Sequence, residues 1–360
     1  MSKKLLIVAP YFYPQSGGLE NYAYQMAKRA LEQGYQVTVL TSTDTHKIEI
    51  EHLYGLDIYR LPIQFRLSNT PINLKWYWTI KEVLKKEKPD IINVHMPVPG
   101  LPDMVCMAAK NTKTIITYHA GSMKKGRLFI DGFLRAYERF FLPMALIKAD
   151  KIICSSDFVK DNFLAKYQKK TQTITPGVDT SVFTKRTEAP NNRNILFIGN
   201  FNYEWKGIRH LLEALKQIPQ ATLHVVGAGR KIDSANTVYH GELSGQELLN
   251  QIHQAQVLVL PSTSEAESFG MVLIEAMACG TPVVGTDIGG IPTVVKDKVD
   301  GLLVKPKDTK ALAYSISFIL DNPHEAARLA NNAYRKVVNN FTWDKSANKY
   351  LKLLNDLLNN

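Results

Sequence analysis

Two series of short apolar runs, each alternating with longer amphipathic stretches, limit most strongly how this chain can fold. In the first half the runs are "LLIVAP" (5–10), "QVTVLT" (36–41), "IINVH" (91–95), "TIITYH" (114–119) and "KIICSS" (151–156). In the second half they are "NILFIG" (194–199), "TLHVVG" (222–227), "VLVLPS" (257–262), "PVVGT" (282–286) and "LLV" (302–304). None alternates strictly between polar and apolar, which is the pattern of strands buried on both faces of a parallel sheet. Helical text such as "ENYAYQMAKRALEQG" (20–34), closing on Gly34, fills the intervals. The expectation is an α/β chain with two doubly wound, Rossmann-like domains, spanning 1–185 and 186–342. The polar stretch "SVFTKRTEAPNNRN" (181–194) joins them, and a final helix over 343–358 is free to pack on the first domain or the second. In open sheets of this kind ligands bind beyond the carboxyl ends of the strands, so the cleft between the two domains is the expected site.

Several function classes are disfavoured. The three cysteines, Cys106, Cys154 and Cys279, are far apart and lack any C-x-x-C spacing, so neither a disulfide framework nor a zinc site is expected. A reducing cytoplasm fits that usage. The opening "MSKKLLIVAPYFYP" is basic, but its apolar run is too short for a signal peptide, and the most apolar long stretch, Ala276–Val295, is broken by glycines, prolines and Asp287. Net charge is +11, and residues 1–185 carry +10 of it. That imbalance suits a solubilising surface, an acidic acceptor or an anionic membrane face. No nucleic-acid partner is expected, because no aromatic-and-basic recognition motif accompanies the charge.

Three places carry residue types suited to anion chemistry. Gly17 and Gly18 follow the first strand and precede a helix, where bare backbone N–H groups can approach a phosphate; "SGGLEN" lacks the G-x-G-x-x-G spacing of a dinucleotide site. Lys206, in "FIGNFNYEWKGIRHLLEAL" (197–215), ends a loop between a strand and a helix, the position of a phosphate-facing cation. In "ESFGMVLIE" (267–275), Glu267 lies in a loop, Phe269 and Gly270 mark a helix start, and Glu275 follows after seven intervening residues. A carboxylate such as Glu275 can accept both hydrogen bonds of a vicinal diol, while the helix N-terminus suits a phosphate. Each feature taken alone also fits an ordinary turn or a solvated surface.

The segment 261–306, "PSTSEAESFGMVLIEAMACGTPVVGTDIGGIPTVVKDKVDGLLVKP", resembles the donor-binding region of the retaining nucleotide-sugar glycosyltransferases of family 4, which have the two-domain GT-B fold. The likeness extends to "SGGLENYAYQMAKRALEQGYQVTVLT", to "TPGVDTSVF" (175–183) and to "FTWDKSANKYLKLL". It implies two Rossmann-like domains facing across a cleft, with the acceptor on the first and the donor on the second. By this resemblance Glu275 binds ribose, Glu267 bonds hydroxyls of the transferred sugar, and the N–H groups of Phe269, Gly270, Met271 and Val272 line sugar and phosphate. Lys206 corresponds to the family's diphosphate lysine, Gly17 and Gly18 to the loop closing on the same diphosphate, and His119 to a strand-end histidine near the donor sugar. No metal or cofactor is implied beyond the nucleotide sugar itself.

One departure bears on the chemistry: after the glycine of "FIG" the family commonly has Arg, and here stands Asn200. Lys206 with the helix N-terminus then suffices, or Arg209 or Arg230 substitutes. The implied activity is transfer of a sugar from a nucleoside diphosphate to an acceptor hydroxyl with retention, in the synthesis of a surface glycan or glycolipid. A catalytically silent nucleotide- or carbohydrate-binding protein, and a sugar-nucleotide epimerase of the same fold, stand as alternatives. The acceptor is expected to be a glycan or a lipid-linked saccharide. Lysines among aromatics in "LKWYWTIKEVLKKEK" (74–88), and Lys124, Lys125 and Arg127, suit peripheral attachment to an anionic inner membrane face from the cytoplasm.

Overall fold

The computed structural model describes residues 3–15, 17–67, 70–123 and 128–359. The chain divides into two compact units, Met1–Ile174 with Ser346–Asn360, and Thr175–Lys345. Lys124, Lys125 and Arg127 lie outside the described residues.

The first unit contains β1 (Lys4–Val8), β2 (Gln36–Thr43), β3 (Glu49–Leu53), β4 (Leu56–Pro62), β5 (Phe65–Leu67), β6 (Thr70–Ile72), β7 (Ile91–Met96), β8 (Lys113–Tyr118), β9 (Lys151–Cys154) and β10 (Thr171–Thr173). Eight of these form one sheet in the order β10-β9-β8-β7-β1-β2-β4-β3, parallel except for β3 against β4. Every residue of β7 is buried, as a strand covered on both faces requires. Around the sheet lie α1 (Gly18–Glu32), α2 (Trp76–Glu87), α3 (Leu101–Ala108), α4 (Leu128–Ala136), α5 (Leu142–Lys148) and α6 (Asp157–Asn162). The strand order reverses at β1, so the loops after β1 and β7 flank the position where a doubly wound sheet opens a crevice.

The second unit holds β11 (Asn194–Ile198), β12 (Thr222–Val226), β13 (Thr237–Gly241), β14 (Val257–Leu260), β15 (Val283–Thr286) and β16 (Leu302–Val304). They form a parallel sheet ordered β13-β12-β11-β14-β15-β16, the 3-2-1-4-5-6 arrangement of a Rossmann domain. Its helices are α7 (Ile208–Leu215), α8 (Gly245–Gln254), α9 (Met271–Ala278), α10 (Ile291–Val294), α11 (Thr309–Asp321) and α12 (Pro323–Asn340). The reversal falls between β11 and β14.

The units divide earlier than the expected boundary at 185/186. Val178 N donates to Phe341 O at 2.8 Å, Val178 pairs with Thr342, and Arg186 N donates to Cys279 O at 3.0 Å, so the stretch after Thr175 is tied into the second unit. The last helix, α13 (Trp343–Asn359), starts in the second unit and from Ser346 belongs to the first. There Tyr350 is fully buried and its hydroxyl donates to Asn93 Oδ1 at 3.0 Å, in the middle of β7.

Candidate active site

Lys206 and Glu267 come together at the reversal of the second sheet. The loop after β11 ends in a single 3-10 turn, Glu204–Lys206, and the loop after β14 carries Glu267. Lys206 Nζ donates to Glu267 Oε2 at 2.7 Å, and both side chains are largely shielded from water, at 18% and 10% exposure. Ser262 Oγ donates to the same carboxylate oxygen at 3.1 Å, and Thr286 Oγ1 holds the Ser262 carbonyl at 2.6 Å. A shielded ion pair is tolerated only when its remaining hydrogen-bonding capacity is also used, and Ser262 supplies part of that. Lys206 also lies 4.5 Å from the centre of the Trp205 ring.

Two backbone approaches make the pairing possible. Gly207 has φ 76°, and a Cβ there would stand 1.9 Å from the Pro261 carbonyl oxygen. Only glycine lets the chain turn from Lys206 into α7 while lying against the end of β14. On the other side, the Gly290 N–H donates to Glu267 O at 2.8 Å, and Cβ atoms at Gly289 and Gly290 would meet Glu267 O and Ser268 O at 2.3 and 2.0 Å. The "DIGGIP" loop after β15 thus fixes the Glu267 loop from behind.

The helix after this loop begins where the sequence indicates. Gly270, at φ 90°, is the residue before α9, and Phe269 is buried with its ring edge-on to Phe341 at 5.6 Å. Among the described residues, the N–H groups of Gly270, Met271 and Val272 donate to no backbone carbonyl. They are donors left at the positive end of the helix. Glu275 is one turn further on; burial pushes its carboxyl up to about 7, and it has no side-chain partner among the described residues. Asn200 is used locally: its Oδ1 accepts from Asn202 N at 3.1 Å, an Asx turn that shapes the loop. Asn202 Oδ1 in turn accepts from Arg230 N at 3.0 Å, which ties the loop after β12 to the loop bearing Asn200. Arg209 and Arg230 are both exposed.

His119, Gly17 and Gly18 belong to the first unit. His119 follows β8, and its Nε2 lies 2.8 Å from Nδ1 of His95 on β7; the rings stack at 5.0 Å and 14°. Tyr22 lies edge-on to both rings. Burial pushes His119 down to about 3 and His95 well below the usual histidine range, so the pair is neutral at ordinary pH. Gly17 is the extended residue before α1, and Gly18 begins the helix. His95, Ser262, Gly289 and Gly290 escaped the sequence reading. A visible signal did exist for His95, since two neighbouring strand runs, "IINVH" and "TIITYH", both end in histidine. Among the described residues no group of three or more His, Cys, Asp or Glu stands close enough to hold a metal ion.

Known proteins agree with this architecture along the whole chain. Sucrose-phosphate synthase from Thermosynechococcus elongatus superposes with a TM-score of 0.78 at 24% identity, covering 99% of each chain. HepE from Anabaena, solved with UDP and glucose, gives 0.76 at 18% identity over 98% of this chain and 99% of that one. Among curated proteins, the O-antigen chain mannosyltransferase C of Escherichia coli is 28% identical over 377 residues, covering 99% of both. Residues 16–182 match the family model described as Glycosyltransferase Family 4, and residues 179–336 the one described as Glycosyl transferases group 1. Fold and sequence thus define one class, and the chain is a glycosyltransferase with the GT-B fold. Within that class, its similarity to glycosyltransferase family 4 lies in residues 16–182.

Proposed function

We propose that the protein transfers a hexose or related sugar from a nucleoside-diphosphate sugar to an acceptor hydroxyl, with the anomeric configuration retained. The observation that carries this reading is the Lys206–Glu267 pair at the strand reversal, with Glu267 on the loop that leads into α9, where Glu275 stands about one turn in without a side-chain partner among the described residues. In the reaction the bond from the anomeric carbon to the diphosphate breaks, a bond to the acceptor oxygen forms on the same face, and the acceptor proton passes to a leaving phosphate oxygen. The demand is for stabilisation of negative charge on the diphosphate, which Lys206 and the N–H groups at the start of α9 supply. Glu267 orients Lys206 and a sugar hydroxyl, and Glu275 receives the ribose diol. His119, neutral and stacked on His95, serves as a hydrogen-bonding group and not as a charged acid. The scheme uses no metal.

The donor class is supported by the HepE structure, which contains UDP and glucose, and the acceptor class by the Escherichia coli relative, which acts on O-antigen chains. We therefore place the reaction in surface glycan or glycolipid synthesis, with a glycan or lipid-linked acceptor met at the inner membrane face. Among the described residues no helix is long and apolar enough to cross a membrane. A panel of nucleotide sugars screened by thermal shift tests the donor, a ligand at 100 times its Kd adding about 2.7 kcal/mol of stability. Proton NMR of the transferred product then reads the anomer. An inverted product, or no stabilisation by any nucleoside diphosphate or its sugar, would overturn the reading.

A further inference from the structure

The helical segment from α4 through α5 shows one face buried and one face uncovered. Leu134, Tyr137, Leu142, Ala145 and Leu146 pack into the first unit, whereas Phe133, Phe140, Phe141, Met144 and Ile147 are 46–67% exposed. Between the two helices, Tyr137–Phe141 forms a π-helical turn, with Leu142 N donating to Tyr137 O. Pro143 follows directly and has no N–H for the carbonyl four residues earlier, a place where a helix commonly widens. The extra residue in the turn brings Phe140 and Phe141 both to the outside.

The charges on this face all have one sign. Between Gly132 and Ala149 the exposed charged residues are Arg135, Arg139 and Lys148; the single acid, Glu138, is half-buried. Neither arginine forms an ion pair among the described residues. A second copy of the chain docking face to face would set arginine against arginine with no exposed carboxylate to pair them. A bilayer with anionic headgroups offers both an apolar depth for the aromatics and phosphates for the arginines.

We propose that this face, Phe133, Phe140, Phe141, Met144 and Ile147 bordered by Arg135 and Arg139, inserts into the headgroup boundary of an anionic membrane. The proposal deepens the membrane-acceptor reading and rests on it for its purpose, since insertion would hold the first unit where lipid-linked acceptors are presented. Attachment is then by shallow apolar insertion as well as by charge. Part of the binding should therefore persist at about 0.5 M salt, where purely electrostatic attachment is screened.

The test is flotation of the full chain with vesicles of phosphatidylcholine alone and of phosphatidylcholine mixed with phosphatidylglycerol. The wild type should float with the mixed vesicles and retain part of that binding at high salt, while the double variant Phe140→Ser/Phe141→Ser should lose it about tenfold. Thermal melting checks that this variant is folded. Phe140→Trp, a near-isosteric change, gives an independent readout: its emission should shift to the blue on adding mixed vesicles. No flotation of the wild type, or flotation without any shift from Phe140→Trp, would overturn the proposal. So would a wild-type dimer in sedimentation that Phe140→Ser converts to monomer. Sugar transfer to a water-soluble acceptor plays no part in these measurements, so the insertion surface and the enzymatic reading fail separately.

Discussion

At the scale of single residues, the two glutamates of "ESFGMVLIE" occupy different environments and should separate in experiment. Glu267 neutralises Lys206 across 2.7 Å. Glu267→Gln should therefore leave affinity for a nucleoside diphosphate at or above the wild-type level, because the lysine is released to phosphate, while transfer falls; calorimetry paired with a transfer assay reads both. Lys206→Ala removes the cation itself and should cost about 2–4 kcal/mol of transition-state stabilisation, or on the order of 10²–10³ in turnover. Glu275 differs in having no side-chain partner among the described residues and a carboxyl raised by burial from 4.5 to about 7. Below 4.5 both folded and unfolded chains are protonated there; between 4.5 and 7 the unfolded chain ionises first, so folding stability declines with rising pH. Glu275→Gln should thus be more stable than the wild type at about pH 8, by on the order of 1–3 kcal/mol, with no gain near pH 4. The same variant should bind the nucleoside diphosphate more weakly, which distinguishes it from Glu267→Gln.

At the scale of elements, the site depends on how one loop lies against its neighbour. Gly207→Ala places a methyl group against the Pro261 carbonyl and forces an unfavourable φ, so the turn carrying Lys206 must move. We expect a loss of about 2 kcal/mol or more in denaturant melts, together with lower turnover even though no ligand-facing side chain has changed. Of the eight and six strands in the two sheets, ten were legible as apolar runs, because burial on both faces leaves a plain signature in composition; the short edge strands β10 and β13 were not. The hairpin of β3 and β4 was not: "EIEHL" is mostly exposed, and its two-residue turn is Tyr54-Gly55, both at positive φ, without the Asn-Gly or Asp-Gly that usually marks one. For the site, residue type and spacing singled out Lys206, Glu267 and Glu275. The contact between the first two depends on which strands are neighbours at the reversal, and the order β11-β14 is long-range information that no local pattern carries. Tryptophans in "LKWYWTIKEVLKKEK" divide in the same way. Trp76 is buried with its indole N–H donating to Pro62 O, whereas Trp78 is 68% exposed beside Lys81, and the text alone did not tell them apart.

At the scale of the whole molecule, the chain passes from the first unit to the second near Thr175 and returns within α13. The returning segment buries Tyr350, Leu353, Leu354 and Leu357, four side chains worth about 6–12 kcal/mol together. That is comparable to the entire stability of an ordinary domain. A fragment of residues 1–174 should accordingly show no cooperative thermal transition, whereas the contiguous piece 175–345 should melt as a unit; circular dichroism of the two fragments tests this. The return also sets a timetable for synthesis. A ribosome delivers the chain from its amino end, so the second unit has all its strands available before the last helix of the first has been made. The earliest residues to emerge are among the last to be completed structurally, and β7 must wait, with Asn93 unpartnered by Tyr350, until α13 has been made and has emerged.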